Sequence, residues 1–209
     1  MKKTLLAIPL VFAMFSGVQA QNYIGACAAY SFSKLKYDGN EDDDYNGRVS
    51  FGVTYNHRIH FINIGAELNL ENRGAKASYL DNTYGYQTAT ERLNFSYLAL
   101  PLKVGIVVGN KFSAIANIGI VPGYLLGAKD KLSYPMSQQT YSQSVTSMVS
   151  KFDLSALAEV GVGFKLASKV SIYGTFRFQP GLTNVKIDQS YTDFKHSSLI
   201  ANIGAQVAL

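Results

Sequence analysis

An alternation of apolar and polar side chains, repeating every two residues, constrains this chain more than any other feature of its sequence. In SLIANIGAQVAL (198–209) every second residue from Leu199 to Leu209 is apolar. KVSIYGTFRFQ (169–179) and FINIGAELNLENR (61–73) repeat the pattern. Because successive side chains of a strand point to opposite faces, the pattern predicts β-strands with one apolar and one polar face.

The stretch FDLSALAEVGVGFKLA (152–167) tests this interpretation, since Glu159 lies in the middle of a mostly apolar run. On a strand, the apolar residues from Phe152 to Leu166 share one face, and Glu159 joins Gly161 and Gly163 on the other. A helix would scatter the same apolar residues around its surface. The strand interpretation is therefore favoured, although the run is long for a strand of a globular sheet.

Eight such segments are predicted along the chain. Their approximate spans are 23–36, 47–57, 60–79, 91–108, 112–129, 152–166, 169–187 and 198–209. Short connections near Arg58, at 109–111 and at 167–168 alternate with long ones at 37–46, 80–90, 130–151 and 188–197. This alternation predicts an up-and-down meander with all tight turns at one end, which is the anatomy of an outer-membrane barrel.

The charges on the polar face decide which face points inward. That face carries Glu67, Glu71, Arg73, Lys103, Glu159, Lys165 and Arg177. These are too many charges for an apolar core, so we expect the polar face to line the lumen and the apolar face to meet lipid. The predicted fold class is all-β, an eight-stranded antiparallel up-and-down transmembrane β-barrel. A soluble barrel that holds a ligand is the structural alternative.

Aromatic residues near the predicted strand ends support the membrane interpretation, because transmembrane barrels carry aromatic girdles at both interfaces. The candidates for these girdles are Tyr30, Tyr37, Tyr55, Phe61, Tyr79, Tyr97, Tyr124, Phe152 and Phe164.

The first 20 residues have the pattern of a secretory signal. Lys2 and Lys3 precede an apolar run from Leu5 to Phe15, and Ala20 ends a small-residue cleavage site. We expect residues 1–20 to be cleaved and 21–209 to form one barrel domain. An anchor helix, or lipidation at Cys27, is the alternative. Cleavage removes two of the five net positive charges, and the scattered remaining charge gives no indication of nucleic-acid binding.

Four charged residues of the polar face form the candidate site. Glu67, Lys103, Glu159 and Arg177 come from four different predicted strands, share the inward parity and balance in charge. An eight-stranded barrel is just wide enough for its side chains to fill the interior. We expect these residues to form an ionic network that closes the lumen. Four independently hydrated charges are the alternative.

No catalytic, cofactor or metal site is predicted. DGNEDDDYNG (38–47) lacks the glycine and the bidentate glutamate of a calcium loop, so a solvated acidic loop is favoured over a weak cation site. His57 and His60 have no evident third ligand. His196, with Asp193, Ser197 and Ser198, is a weak candidate for a catalytic rim, since one mobile loop positions no nucleophile.

The chain resembles the PorT-family outer-membrane β-barrel proteins of Bacteroidetes-type bacteria, which are related in architecture to the small OmpA and OmpX barrels. The matching stretches are AELNLENRGAK (66–76), YLALPLKVGI (97–106), IGIVPGYLLGAK (118–129), FDLSALAEVGVGFKL (152–166) and FRFQPGLTNV (176–185). The most specific is Tyr97 to Leu102, whose Pro101 is expected to lie at a bulge.

The resemblance implies an outer-membrane location and no catalysis. The leading hypothesis for function is a structural or interaction role through the extracellular loops. The expected partners are outer-membrane lipid, the barrel-assembly machinery during insertion and envelope proteins; no nucleic acid or cofactor is expected, and the protein is expected to be a monomer. Such barrels usually end on an aromatic residue that the barrel-assembly machinery recognises, whereas this chain ends on Leu209; the expectation is that either Leu209 suffices or the assembly signal is weaker. A narrow solute channel and a rim enzyme acting on lipid or peptide are the alternative functions.

Overall fold

The computed structural model describes residues 20–37, 44–81, 87–186 and 194–209. These residues form ten β-strands. The strands are β1 (Ala20–Tyr37), β2 (Asp44–Ile59), β3 (Ile62–Asp81), β4 (Gln87–Ala99), β5 (Leu102–Gly109), β6 (Phe112–Tyr134), β7 (Gln139–Ser144), β8 (Phe152–Lys165), β9 (Val170–Pro180) and β10 (Phe194–Ala208). Within those ranges, no helix has the length and apolar character that a membrane span requires.

The strands close into a barrel of antiparallel neighbours. β1 pairs with both β2 and β10, and the ring continues through β9, β8, β6, the β4–β5 pair and β3 back to β2. β4 and β5 form one wall strand, because Leu98 faces Tyr124 and Leu102 faces Ile120 in an unbroken register. β7 pairs only with β6, outside the wall. Eight wall strands remain, and the predicted all-β up-and-down fold class is confirmed.

Pro101 interrupts the ladder of this wall strand without shifting it. The Pro101 carbonyl accepts from the Glu67 N–H at 2.9 Å, and the Leu100 N–H donates to the Pro122 carbonyl at 2.9 Å. The expectation of a bulge at Pro101 is therefore wrong. The register shifts instead beyond Tyr97, where β6 holds one extra residue, Leu126, between the partners of Tyr97 and Ser96.

The three tight connections that the structure describes between wall strands lie at the end of the barrel where β1 begins and β10 ends. They join β2 to β3, β5 to β6 and β8 to β9, and the Leu209 N–H donates to the Asn22 carbonyl at 2.9 Å beside them. We call this the turn end and the opposite one the loop end. At the loop end the predicted boundaries need correction: β9 ends at Pro180, β10 begins at Phe194, and the connection 130–151 contains the end of β6 and all of β7.

The two faces of the wall follow the sequence alternation. Apolar side chains on the outer face are exposed, for example Val160 (61%) and Phe176 (72%), whereas the polar residues between them are buried inside. Tyr97 is an exception to the predicted girdle, because its side chain points inward and is fully buried. This orientation, with apolar residues outside and polar residues inside, is that of a barrel whose solvent is lipid.

Candidate functional site in the barrel lumen

The four candidate charges meet at one level of the lumen. Glu67 lies on β3, Lys103 on β5, Glu159 on β8 and Arg177 on β9. Glu159 lies directly opposite Arg177 on the neighbouring strand. Glu67 and Lys103 extend into the lumen from another part of the ring, formed by β3 and β5. All four side chains are at least nine-tenths buried, so their charges are compensated within the protein and not by bulk water.

Each cation in this central ionic layer contacts both carboxylates. Lys103 Nζ lies 2.5 Å from Glu67 Oε1 and 2.9 Å from Glu159 Oε1. Arg177 Nη2 lies 2.8 Å from Glu67 Oε2 and 2.7 Å from Glu159 Oε2. The result is a closed ring of alternating charge with no net charge. Glu159, like Glu67, therefore contacts both Lys103 and Arg177.

A second ionic layer lies next to the first, toward the loop end, and centres on Arg73. Its Nε donates to Glu71 at 2.8 Å, its Nη1 donates to Asp153, and its guanidinium lies 5.0 Å from the centre of the Tyr97 ring. Gln179 donates to the same Glu71 carboxylate at 3.0 Å. Arg73 and Asp153 are fully buried, so this layer also crosses the lumen without water access.

An apolar cluster seals the lumen beyond these two layers. Its buried members are Leu35, Ala75, Phe95, Tyr97, Leu125, Ala128, Val149, Val185 and Phe194. Val149 and Val185 come from connections at the loop end and not from wall strands. Backbone hydrogen bonds hold these connections in place: Val185 exchanges bonds with Phe194 at 2.8 and 3.2 Å, and Ser150 donates to the Lys186 carbonyl at 3.1 Å.

Toward the turn end, amide side chains continue the filling of the lumen. Asn63 donates to Asn56 and to Asn117 at 3.3 Å each, and Asn117 donates to Glu159 at 2.8 Å. The cavity at this level, bounded by Lys103 and others, measures about 30 Å³. A space of this size holds one or two water molecules. Among the described residues, the larger grooves, of about 800 and 580 Å³, lie on the apolar outer wall.

Several lumen residues were not named as site residues by the sequence interpretation. Asp153 and Gln179 complete the second ionic layer, and Tyr97 and His196 pack above it, 3.2 Å apart between Tyr97 Oη and His196 Nε2. Parity could have found Tyr97, since it lies an even number of residues from Lys103 on one wall strand. The sealing role of Val149 carries no such signal, because connections have no periodicity.

The histidines and the acidic stretch are the weaker candidate sites from the sequence. His196 lies in β10, buried against Tyr97, and not on an open rim; Ser197 and Ser198 are also buried. The acidic stretch 38–43 and Asp193 lie outside the described residues. His57 Nδ1 lies 2.6 Å from Asn22 Oδ1, and the described residues contain no cluster of three or more metal-ligating side chains.

Gly161 is expected to be needed for the close approach of β8 to β9 beside Glu159. A Cβ atom at Gly161 would lie 2.2 Å from the Gly174 carbonyl oxygen, so the backbone would have to shift. We expect Gly161→Ala to lower the free energy of unfolding by about 1–3 kcal/mol, as overpacking does. Urea unfolding in lipid vesicles measures this, with Gly174→Ala as the matched control, since a Cβ there meets its nearest atom at 3.9 Å. Equal losses from both variants would contradict the expectation.

A closed antiparallel wall, an apolar outer face and a filled polar interior together define a transmembrane β-barrel of the outer-membrane class. The sequence profile described as "outer membrane protein beta-barrel domain" matches residues 17–186. The chain belongs to this family of outer-membrane proteins, and its location is the outer membrane. The two charged layers thus lie inside a membrane-spanning wall.

Solved structures of small outer-membrane proteins resemble the chain at low sequence identity. Ail, the attachment invasion locus protein of Yersinia pestis, is 15% identical with a TM-score of 0.43, covering 90% of this chain and 99% of that one. Neisserial surface protein A is 12% identical with a TM-score of 0.45, covering 90% and 97%. OprG from Pseudomonas aeruginosa is 10% identical with a TM-score of 0.47, covering 91% and 95%. A comparison with curated proteins found no match.

Proposed function

We propose that the protein is a closed, non-catalytic outer-membrane barrel that serves as a rigid scaffold for its loops. The observation that carries the proposal is the filling of the lumen by two ionic layers, an amide layer and an apolar cluster, all buried. A solute that crossed the barrel would have to break the ring of Glu67, Lys103, Glu159 and Arg177. Removing one partner from such a buried ionic group costs about 3–5 kcal/mol.

Export and orientation follow from the same proposal. Residues 1–20 act as a cleaved signal, and the barrel-assembly machinery inserts the chain as a PorT-type barrel. The turn end then faces the periplasm and the loop end faces outward, as in other barrels with short periplasmic turns. The protein acts as a monomer, and its contacts with envelope proteins form through the loop end, where β6 and β7 make a hairpin outside the wall.

The channel alternative is weaker because the cavities in the described part of the lumen are small. The lumen cavities bounded by ionic-layer residues measure about 10 and 30 Å³ among the described residues. An ion moving through them would leave its hydration shell next to charges that already compensate one another. That desolvation opposes conduction.

Conductance in planar bilayers tests the closed lumen. We expect the purified protein to insert without steady openings, while an open porin added to the same bilayers conducts. Insertion is checked separately by the mobility of the folded protein on unheated SDS gels. Steady openings of a fixed size from the unaltered protein would refute the proposal, because a lumen closed by buried ion pairs has no fixed path for ions.

A further inference from the structure

On three adjacent strands, the side chains of the outer face change from apolar to polar at the same level. Leu70 of β3, Leu98 of β4 and Tyr124 of β6 lie directly opposite one another and form the last rung that is apolar on all three strands. The next rung toward the loop end is polar, with Asn72 opposite Ser96. The three strands continue beyond this boundary as a sheet, and β7 joins its edge.

Three cations form a rung on this extended sheet. Lys76 of β3 lies directly opposite Arg92 of β4, and Arg92 lies directly opposite Lys131 of β6. Side chains directly opposite in antiparallel strands share one face and have Cβ atoms about 4.5–5.5 Å apart, so like charges there destabilise the sheet. A fourth cation, Arg48, lies close enough to Arg92 for the two charges to act on each other.

Carboxylates do not balance these cations on the described part of this face. Asp44, opposite Lys76, is the one carboxylate that pairs in this rung. Glu91 and Asp130 are neighbours in sequence of Arg92 and Lys131, so they point to the opposite face. The cation rung therefore lacks most of its counter-charge, and an anionic ligand would relieve the repulsion.

The rungs on either side carry polar groups, with a further cation, Lys129, in the lower one. Below the cations, Asn94 lies opposite Lys129. Above them, hydroxyl side chains continue across four strands. These are Ser78, Thr90, Ser133 and Thr140. Rungs on one face repeat every two residues, so amide, cation and hydroxyl levels together cover about 13 Å along the strands.

The position of this polar face indicates that its ligand is a component of the membrane. It has the same parity as Leu70 and Leu98, so it faces sideways over the lipid and not into the barrel mouth. Lys76 lies six residues beyond Leu70, about 20 Å along the strand or about 14 Å in height at a tilt near 45°. Long cationic side chains can bend toward the headgroups by several ångströms.

We propose that Lys76, Arg92 and Lys131 bind the phosphate groups of a phosphorylated glycolipid in the outer leaflet. Phosphate oxygens accept charge-assisted hydrogen bonds from lysine and arginine, and the hydroxyl and amide rungs suit the sugar hydroxyls. The polar face extends well above the ~5–8 Å thickness of a simple headgroup layer, which favours a glycolipid over a phospholipid. The proposal needs the outer-membrane location but not the closed lumen, so the two can fail separately.

Binding of a fluorescent bis-phosphorylated diglucosamine lipid to the protein in dodecylmaltoside micelles tests the proposal. We expect the parent to bind it at least ten-fold more tightly than the dephosphorylated lipid. We expect the triple variant Lys76→Gln, Arg92→Gln, Lys131→Gln to lose at least ten-fold in affinity. The matched control is Lys111→Gln, Lys165→Gln, Lys169→Gln, which removes the same charge from exposed positions at the turn end and is expected to keep the parent's affinity.

Three results would overturn the proposal. The first is equal binding by the parent and the triple variant, or an equal loss in the control. The second is equally tight binding of soluble inositol hexakisphosphate, which would indicate a site for free oligophosphates. The third is lipid binding that appears only in the variant Asp42→Asn/Asp43→Asn and not in the parent, because the acidic stretch EDDD (41–44) would then be the group that compensates the cations.

Discussion

Replacing Arg177 by glutamine is expected to lower the free energy of unfolding by about 3–5 kcal/mol. The Arg177 guanidinium contacts Glu67 at 2.8 Å and Glu159 at 2.7 Å. Without it, two buried carboxylates share only Lys103, and one negative charge is left uncompensated in a wall that excludes water. Glutamine keeps much of the volume, so the loss reports the charge and not a large cavity.

Urea unfolding from lipid vesicles, followed by tyrosine fluorescence, measures this loss; the chain contains 14 tyrosines and no tryptophan. The matched control is Arg58→Gln, since Arg58 is a lumen arginine at the turn end that donates at 3.5 Å to Tyr23 and forms no ion pair in the described structure. We expect the control to lose only about 1 kcal/mol, from the contact with the Tyr23 ring, whose centre lies 4.6 Å from the Arg58 guanidinium. A loss of that small size at Arg177 would mean that water hydrates the charges independently.

A double variant separates charge from packing. Because Glu159→Gln/Arg177→Gln removes one charge of each sign, it restores the balance between Glu67 and Lys103. We expect its loss of stability to be smaller than the sum of the two single losses, as for coupled neighbours. Additive losses would contradict a shared network.

Replacing Arg73 by glutamine is expected to have an effect at least as large. Arg73 is the single cation that contacts Glu71 and Asp153 among the described residues, and it is fully buried. Its removal leaves two carboxylates with no contacting cation, whereas Arg177→Gln leaves Lys103 in place. The expected loss is about 3–5 kcal/mol or more, with added loss from the contact to the Tyr97 ring.

The same unfolding measurement applies, with Asp153→Asn as a second change that should rescue part of the loss. Neutralising Asp153 removes one of the two unpaired charges, so we expect Arg73→Gln/Asp153→Asn to be more stable than Arg73→Gln alone. If the second change instead lowers stability further, the layer is held by hydrogen-bond geometry and not by charge balance.

The sequence predicted the strands and faces because both follow from local periodicity. Alternation every two residues placed Glu67, Lys103, Glu159 and Arg177 on one face, and the excess of charge on that face placed it inside. Tyr97 is an exception, because it lies in the lumen and not in the predicted girdle. It was assigned to a girdle from its distance to a strand end, although its parity with Lys103 places it in the lumen.

Other features depended on information that local patterns do not carry. The predicted bulge at Pro101 lies instead between Tyr97 and Ser96, because the register with β6 decides where an extra residue is accommodated. The sequence interpretation places His196 in the connection 188–197, before the predicted last strand. In the barrel, residues 194–198 belong to β10, since their backbone pairs with β1, and the His196 side chain is buried in the filled lumen beside Tyr97.

The sequence by itself determined the class of protein: eight alternating segments joined by short and long connections, with charges on the inner face, allow a lipid-facing barrel and little else. Only the tertiary structure decided which charges meet. The level of a residue in the lumen depends on the stagger of all strands around the ring, and this stagger is set by pairing between distant segments. It brings Glu67 to Arg177 and Arg73 to Asp153, and it aligns Lys76, Arg92 and Lys131 on the outer face.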